Sequence, residues 1–480
     1  MEQLPEGFLL IVKKACPTCE LIEPIIHEMS AAGLQMTIYS QDDPAFPAEF
    51  EAVLYDESLE ISYDLDIETV PTLIKVLEGS EVARLVGWHR EEWQAMTGIS
   101  VLGSGLPEYR PGCGALNVDP GMQRELAARF GISGLAARRV EVAEISDEME
   151  TCFEKGWTDG LPVVPPTPER VLAMLKGTNR SPDEVVAVVA PNKVPCSVEK
   201  VAINAVLAGC KPEYLPVVLA AVEAACLDEF CMQGLLATTY FSAPVVIVNG
   251  PIRQAIRMNS GINALGQGNR ANATIGRALQ LVIRNVGGGE PGGVDRSTLG
   301  SPGKYTFCFA EDEEGSPWES FAEQNGYAPE SSTVTLFPGH GIHEIFDQLS
   351  RTPESLARTI ASCLLSVAHP KICMASDAVL VISPEHAAVF REAGWTKQKL
   401  LAELHNLLQR PGSELVRGVD GIAEGLPEAF ADNPAIPKFK ENGLMIIHAG
   451  GKAGKFSAII SGWIASGSMG SQIVTREINQ

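Results

Sequence analysis

The sequence predicts an α/β protein in which a small N-terminal domain precedes a large second α/β domain. The chain has 480 residues, enough for two to four domains at roughly 100–200 residues each. Short apolar runs alternate with helical patterns, as is typical of α/β proteins. A stretch rich in glycine and proline interrupts this alternation after residue 98. The predicted divisions are a domain at residues 1–99, a linker at 100–138 and a domain at 139–480.

Charge and composition exclude several classes of function. The net charge of −23 makes binding to nucleic acid or to an anionic membrane unexpected, because both need a basic face. Residues 1–99 hold 19 acidic and 5 basic side chains, whereas residues 251–304 hold 7 basic and 2 acidic ones. The first residues fit neither a secretory signal nor a membrane helix, and the eleven cysteines are scattered. We therefore expect a cytoplasmic protein with reduced thiols, which could form a homo-oligomer.

The first domain begins with a strand, a C-x-x-C motif and a helix. Residues 7–13 are a short apolar run, and Cys16-Pro17-Thr18-Cys19 opens a helical pattern. A cysteine at a helix N-terminus is a favourable place for a thiolate, because the helix dipole and free N–H groups stabilise the negative charge. A second strand and a hairpin follow at Leu34–Tyr39, Thr72–Leu77 and Val82–Val86. With a last helix, the predicted order is βαβαββα.

Two motifs in this domain, Cys16-Pro17-Thr18-Cys19 and Thr69-Val70-Pro71-Thr72, resemble those of the thioredoxin family. The resemblance covers about residues 6–99 and implies a thioredoxin fold with a redox-active dithiol. It also implies that Cys16 is the nucleophile, Cys19 the resolving thiol and Pro71 a cis-proline beside them. Ala15 stands where the family usually has tryptophan, so the motif is closer to glutaredoxin-like variants. A zinc-binding or inert C-x-x-C remains the alternative.

The predicted linker carries one cysteine, Cys113, between glycines. One interpretation is a cysteine in a surface turn. The other is a redox-active or shuttle thiol that Cys16 and Cys19 reduce, since tethering gives the exchange a high effective concentration.

The second domain alternates strand-like runs with helical stretches. The runs Val245–Val248, Val379–Ile382 and Met445–Ile447 are short and continuous, as expected of fully buried strands. Cys196 precedes the helical stretch Val198–Leu207, where the helix field favours a thiolate. Among the cysteines of this domain, Cys196 is the predicted reactive thiol, because most of the others lie in apolar surroundings.

The basic stretch after the first of these runs is rich in glycine, asparagine and arginine. Its glycines would let backbone N–H groups approach an anion. We therefore expect a small anionic substrate here, although a packing loop or a docking surface for the acidic first domain would use the same residues. The candidate substrate-binding side chains are Asn249, Asn263, Asn269, Arg270, Arg277 and Lys304.

Two further loops carry candidate catalytic groups. Glu311 and Glu313 follow a strand-like run, and alternation would place them on one side, where one could act as a general acid or both could hold a metal. His340 and His343 follow another strand-like run, and two histidines three residues apart can share a metal or flank a substrate. A metal ion at His340, His343 and Glu313 is therefore possible.

About residues 105–480 resemble a bacterial family of thioredoxin-linked proteins, some of which contain selenocysteine. The resemblance lies in Gly156–Thr167, Asn249–Trp318 and Gly450–Lys455, and it implies a reactive chalcogen at position 113. The leading hypothesis is a thiol-dependent oxidoreductase whose dithiol, recycled by a cellular thiol reductant, reduces a catalytic cysteine serving an α/β cleft. The alternatives are a Cys/His/carboxylate lyase or hydrolase that cleaves a carbon–heteroatom or carbon–metal bond, and a metal or redox chaperone.

Overall fold

The computed structural model describes residues 4–48, 50, 52–119, 122, 125–126, 129–130, 135, 137, 147–462 and 470–479. The chain divides into two compact units, Met1–Gly134 and Leu135–Gln480. Helices account for 34% and strands for 22% of the residues, and the sheets are mixed, so the α/β class is confirmed. Within the described part of the chain, no helix combines the length and apolar character needed to cross a membrane. The predicted boundary at 138–139 lies outside the described residues.

The first unit contains a five-stranded mixed sheet. The strands of the whole unit are β1 (Gly7–Val12), β2 (Met36–Ser40), β3 (Val53–Tyr55), β4 (Thr69–Val70), β5 (Thr72–Leu77), β6 (Ser80–Val86), β7 (Trp88–His89), β8 (Tyr109–Arg110) and β9 (Cys113–Gly114). Its helices are α1 (Pro17–Leu21), α2 (Glu23–Ala31), α3 (Glu60–Asp64) and α4 (Arg90–Thr97). The strand order is β3-β2-β1-β5-β6, with β1 parallel to β2 and antiparallel to β5. The apolar run of β1 is central in this sheet, and Ile25, Ile26 and Met29 of α2 belong to the same core.

Residues 100–119 differ from the expected linker, because they pack onto the first unit. Strand β8 pairs with β7, and β9 pairs with β4. Leu102 and Ala115 are buried in the core of the unit, and the buried Asn117 donates to the Ile67 carbonyl at 2.7 Å. The glycines and prolines that suggested flexibility instead permit close packing. A Cβ on Gly112, for example, would lie 2.3 Å from Thr69 Cγ2.

The second unit is larger and also mixes helices with strands. Its helices are α5 (Glu148–Glu154), α6 (Pro168–Leu175), α7 (Val198–Ala208), α8 (Leu215–Ala225), α9 (Met232–Ala237), α10 (Ile252–Ala255), α11 (Arg270–Asn285), α12 (Phe321–Gln324), α13 (Pro353–Leu364), α14 (Pro384–Glu392), α15 (Lys397–Leu407) and α16 (Gly412–Leu415). Its strands are β10 (Val185–Val189), β11 (Val194–Ser197), β12 (Ala243–Asn249), β13 (Cys308–Ala310), β14 (Thr333–Phe346), β15 (Ala378–Ile382), β16 (Gln409–Arg410), β17 (Ile436–Pro437), β18 (Leu444–His448), β19 (Phe456–Gly462) and β20 (Val474–Glu477).

The main sheet of this unit has the order β13-β12-β14-β19-β15-β18, with β20 paired to β14. All residues of β12, β15 and β18 are buried, which confirms the prediction from their continuous apolar runs. The Asp312 N–H, just beyond the edge strand β13, donates to the His448 carbonyl of the other edge strand, β18, at 2.8 Å. The sheet is therefore curled, so that its two edges approach each other. One apolar cluster receives side chains from every strand of this sheet except β20, among them Ile247, Phe309, Phe337, Val381, Ile447 and Ile460. Helices cover the opposite face in two further clusters.

Candidate functional site

Cys16 lies where the first strand gives way to the first helix. It is the N-cap of α1, and its Sγ accepts the Cys19 N–H at 3.4 Å. The Val70 carbonyl lies 3.5 Å from the same sulfur, and the following peptide bond, Val70–Pro71, is cis. Cys16, Cys19 and Pro71, which the sequence placed in one site, are therefore brought together within the first unit.

Cys113 joins this group through strand pairing. Because β9 runs antiparallel to β4, Cys113 is the register partner of Val70. Its side chain is in hydrogen-bonding contact with Cys16, as is the side chain of Cys19. The two thiols of the C-x-x-C motif and the distant Cys113 thus form one cluster, and all three are free.

The segment at residues 109–114, called the covering segment below, lies over the dithiol. Thr18 Oγ1 donates to the Pro111 carbonyl at 2.7 Å, and Lys13 Nζ donates to the Gly114 carbonyl at 2.8 Å. Cys16 and Cys19 are both 0% exposed, whereas Cys113 is only partly buried. Of the three thiols, Cys113 is the one that a solute in solution can reach.

The contacts within the cluster shift the three thiol pKa values in different directions. The hydrogen bond from the Cys19 side chain, helped by the one from Cys113, lowers the pKa of Cys16 to about 5. Burial, followed by the hydrogen bond to Cys16, raises the pKa of Cys19 and also that of Cys113. Cys16 is thus the group that is ionised at neutral pH, with two neutral thiols as donors. A thiolate is the nucleophile in thiol–disulfide exchange, so Cys16 is equipped for this chemistry.

Cys196 is a correction to the sequence prediction. The residue that caps α7 is Ser197, whose side chain accepts the Lys200 N–H at 3.3 Å. Cys196 lies in β11 one residue earlier, is 0% exposed, and burial raises its pKa to about 12. Burial also raises the pKa of Cys210 to about 12. These thiols therefore stay protonated at neutral pH.

Most of the predicted anion-binding side chains are engaged within the second unit. Arg277 forms two 2.8 Å bonds with Asp159, and Lys304 Nζ lies 2.6 Å from Asp295. Arg270 Nε donates to the carbonyl of Gly209, the C-cap of α7, at 2.8 Å.

The three asparagines of that set have different roles, and Asn249 binds the two glutamates described below. Asn269 is the N-cap of α11 and accepts the Asn272 N–H at 3.0 Å. Asn263 is exposed and lines a cavity. The basic charge of the stretch is thus largely balanced by acids and carbonyls of the same unit.

Glu311 and Glu313 lie on the same side, as the alternation predicted, with Asn249 between them. Asn249 Nδ2 donates to Glu311 Oε2 at 2.6 Å and to Glu313 Oε1 at 2.8 Å. Glu311 is 0% exposed, and burial raises its pKa. Arg253 binds Glu313 at 2.6 Å, and Lys397 Nζ lies 4.0 Å from Glu311 Oε1.

Sequence reasoning missed the two cations of this cluster, Arg253 and Lys397. Arg253 follows the end of β12 by four residues and is 4% exposed, and Lys397 is the first residue of α15 and is 1% exposed. Nothing in the local pattern distinguishes them from solvent-facing cations. Only the burial of the Glu311 carboxylate, once it is known from the structure, indicates that a cation must lie nearby.

The predicted metal site at His340, His343 and Glu313 is a second correction. The two histidine rings are 6.0 Å apart, and burial lowers the pKa of His340 to about 4. Glu313, however, binds Asn249 at the C-terminal end of β12. His340 follows Gly339, which is the partner of Ala243 at the N-terminal end of the same strand. Six residues of strand, about 20 Å, separate these positions. In the described part of the chain, no group of three or more His, Cys, Asp or Glu side chains is arranged to hold a metal ion.

Comparisons with family models, curated proteins and solved structures found no match to this chain.

Proposed function

We propose that the protein is a thiol–disulfide oxidoreductase in which Cys113 meets the substrate and the Cys16–Cys19 dithiol then takes up the oxidising equivalents. The observation that carries this proposal is the β4–β9 pairing, which brings Cys113 into contact with Cys16. A cysteine in a surface turn would need no such pairing.

The architecture of the first unit supports a thioredoxin-like assignment. A central β1 leads directly into a C-x-x-C at a helix start, and a cis-proline follows β4 beside the dithiol. The sheet places β1 between the parallel β2 and the antiparallel β5, with β6 at the edge. These are the features that the resemblance in sequence implies.

Exposure sets the first thiol step, since Cys113 is the accessible thiol, and pKa sets the second, since Cys16 is the thiolate. Cys113 loses its proton and attacks a small disulfide, giving a mixed disulfide and releasing one thiolate. The Cys16 thiolate attacks Cys113 Sγ, which forms the Cys16–Cys113 disulfide and releases the second thiolate. Cys19 loses its proton and attacks Cys16 Sγ, which frees Cys113 and leaves Cys16–Cys19 oxidised. A cellular dithiol then supplies two electrons and two protons to restore the reduced state.

The competing hypotheses receive less support from these contacts. A lyase or hydrolase built on cysteine, histidine and carboxylate would need those groups together. Glu311 binds Asn249 at the last residue of β12, whereas His340 follows Gly339, the partner of Ala243 at the first residue of β12. The two groups therefore lie near opposite ends of this strand. The thiol cluster, in contrast, is complete within one unit. We therefore favour redox chemistry in the cytoplasm, with the second unit supplying the site for a small anionic substrate.

The proposal can be tested by trapping disulfides in the full-length protein. After reaction with 2-hydroxyethyl disulfide, acid quenching and alkylation, mass spectrometry should find Cys16–Cys19 in the parent protein. In Cys19→Ser the reaction should stop at Cys16–Cys113. In Cys113→Ser, oxidation of the dithiol should slow at least tenfold, because the accessible thiol is gone.

Cys152→Ser is the matched control, since Cys152 belongs to the core of the second unit, and it should behave as the parent protein. A Cys19→Ser protein in which Cys113 remains fully alkylated after oxidation would remove Cys113 from the mechanism. Unchanged dithiol oxidation in Cys113→Ser would do the same.

A further inference from the structure

The second unit contains a cavity of about 490 Å³ at the carboxyl ends of the parallel strands β15 and β18. Ligands of α/β sheets commonly bind at the carboxyl ends of strands, in cavities of roughly 300–1,000 Å³. Val381 and Ser383 line it from the end of β15, and Ala449 and Gly450 line it from the end of β18. The cavity therefore has both the position and the size of a small-molecule site.

The loop between β18 and β19 supplies backbone donors to this cavity. Gly450 and Gly454 have φ angles of 124° and 106°, which favour glycine. The Gly450 N–H donates to the Ser260 carbonyl at 2.9 Å and so fixes the start of the loop. The N–H groups of residues 451–454 donate to no acceptor in the described part of the chain. Successive free N–H groups in a glycine-rich turn form a concave site for an anion.

Ser383 adds an unpartnered hydroxyl to the same lining. It is the N-cap of α14 and is 8% exposed, and its Oγ makes no hydrogen bond to any described residue. Its own N–H donates to Ser457 Oγ at 3.3 Å, and Ser457 Oγ lies 2.8 Å from His386 Nδ1. The Asp347 carbonyl, which only accepts, lies 3.0 Å from His386 Nε2, so Nε2 carries the proton and Ser457 donates to Nδ1. Ser383 is thus held in place while its hydroxyl stays available.

The charge around the cavity favours an anion. None of the described residues that line it is acidic, although the whole chain has a net charge of −23. Lys452 lies between the lining residues Gly451 and Ala453, and Lys455 follows Gly454. One carboxylate stands at the rim, on Glu344, which is paired with the lining residue Ala458 across β14 and β19.

Part of the lining is apolar. Ile342 and Phe456 line the cavity and are 45% and 46% exposed, and the Phe456 ring packs against that of Phe346, with 5.3 Å between the ring centroids. From these features we infer that the cavity binds a small organic anion. Its carboxylate or phosphate head contacts the Gly450–Gly454 loop and Ser383, and its apolar body contacts Ile342 and Phe456. That this ligand is the substrate of the redox reaction rests on the proposed function, whereas anion binding itself does not.

Calorimetric titration of the full-length protein tests the inference with three probes. Phenyl phosphate and phenylacetate should bind, and the uncharged benzyl alcohol should bind at least tenfold more weakly. Ser383→Ala should weaken binding of the anions about three- to tenfold, as should the double variant Lys452→Gln/Lys455→Gln. Ala453→Trp, which fills the cavity, should abolish binding of both anions.

Two variants serve as controls. Lys211→Gln removes an exposed lysine elsewhere in the unit and should change nothing, and Glu344→Gln removes the rim carboxylate and should tighten binding. Binding of only one of the two anions identifies the head group and upholds the inference. Failure of both to bind overturns it, and so does binding that survives Ala453→Trp and Ser383→Ala unchanged.

The thiol variants separate this inference from the proposed function. Cys16→Ser and Cys113→Ser should bind the anions as the parent protein does. Binding without thiol exchange would count against the redox proposal alone, and exchange without binding would count against the cavity alone.

Discussion

Each unit has a cysteine where a strand leads into a helix, yet the two thiols have opposite properties. Cys16 is the N-cap of α1 and accepts the Cys19 N–H, whereas Cys196 lies one residue before Ser197, the N-cap of α7. Both cysteines are 0% exposed. The pKa of Cys16 is lowered to about 5 by hydrogen bonds, chiefly from the Cys19 side chain, and burial raises that of Cys196 to about 12. Donors at the sulfur, rather than exposure, therefore decide which thiol ionises.

Glu311 in the second unit shows that donors do not always prevail, because burial raises its pKa. Glu311 is as deeply buried as Cys196, but it receives Asn249 Nδ2 at 2.6 Å and the Phe321 N–H at 2.8 Å, with Lys397 at 4.0 Å. A buried ionisable group is tolerated where neighbours compensate for the loss of water. The neighbours of the two groups differ in kind. Those of Cys16 are thiols, which can exchange disulfides with it, whereas those of Glu311 only donate hydrogen bonds or supply a positive charge.

The largest expected effect is on thiol ionisation. Because the pKa of Cys16 is lowered to about 5, its thiolate should outnumber its thiol by roughly 100 to 1 at pH 7. Thiolate absorbance near 240 nm should therefore rise as the pH passes through about 5 and stay high above it. Cys16→Ser should remove this step, and Cys196→Ser, the matched control, should leave it intact. A parent protein with no absorbance change between pH 4 and 7 would contradict the lowered pKa of Cys16.

The next effect concerns stability of the second unit. Lys397→Met leaves Glu311 buried beside an apolar group, and breaking such a pair costs about 3–5 kcal/mol. Burial raises the pKa of Glu311, so the folded state binds its proton more tightly than the unfolded state does. The contribution of this group to stability therefore increases as the pH falls, and the loss in Lys397→Met should shrink in acid.

Urea unfolding at several pH values measures this loss. The double variant Lys397→Met/Glu311→Gln should recover much of the stability. Lys399→Met, on the exposed side of the same helix, should lose far less. Equal losses in Lys397→Met and Lys399→Met would show that Lys397 does not compensate for Glu311.

The sequence predicted the elements of both units better than it predicted their contacts. The continuous apolar runs of β12, β15 and β18 indicated buried strands, because such runs have few other stable environments. The dithiol and Pro71 were found because both motifs are local. Strand β3 was missed, since only three residues, Val53–Tyr55, form it and two of them are exposed.

The errors arise where contacts join distant residues. The glycines around Cys113 suggested a linker, but one of them, Gly112, permits by its small size the approach to Thr69 and Val70 that the β4–β9 pairing needs. The sequence suggested that Glu313 and His340 bind one metal ion. It does not reveal that the two side chains lie near opposite ends of β12. Long-range pairing of strands decided both cases.

A smaller effect is expected from opening the covering segment. A Cβ at Gly112 would lie 2.7 Å from the Val70 carbonyl oxygen, whereas a Cβ at Gly114 would meet nothing within 4 Å. Gly112→Ala should therefore displace the segment and raise the rate of Cys16 alkylation by iodoacetamide about tenfold. Gly114→Ala, in the same segment, should keep the parent rate. Equal rates in all three proteins would mean that the covering segment does not limit access to Cys16.

The smallest effect comes from moving a thiol to the N-cap of α7. Ser197→Cys, made in a Cys196→Ser background, places a sulfur where the Lys200 N–H now meets the Ser197 hydroxyl at 3.3 Å. A helix N-terminus stabilises an anion by about 0.3–1 kcal/mol, so the pKa of the new thiol should fall below the ordinary 9 by up to about 0.7 units. It should not reach that of Cys16, because no second thiol donates to it. The pH dependence of alkylation measures the value, with Cys196 of the parent protein as the reference. A midpoint at or above 9 would show that the N-cap position contributes nothing, and a midpoint near 5 would show that the neighbouring thiols of Cys16 are unnecessary.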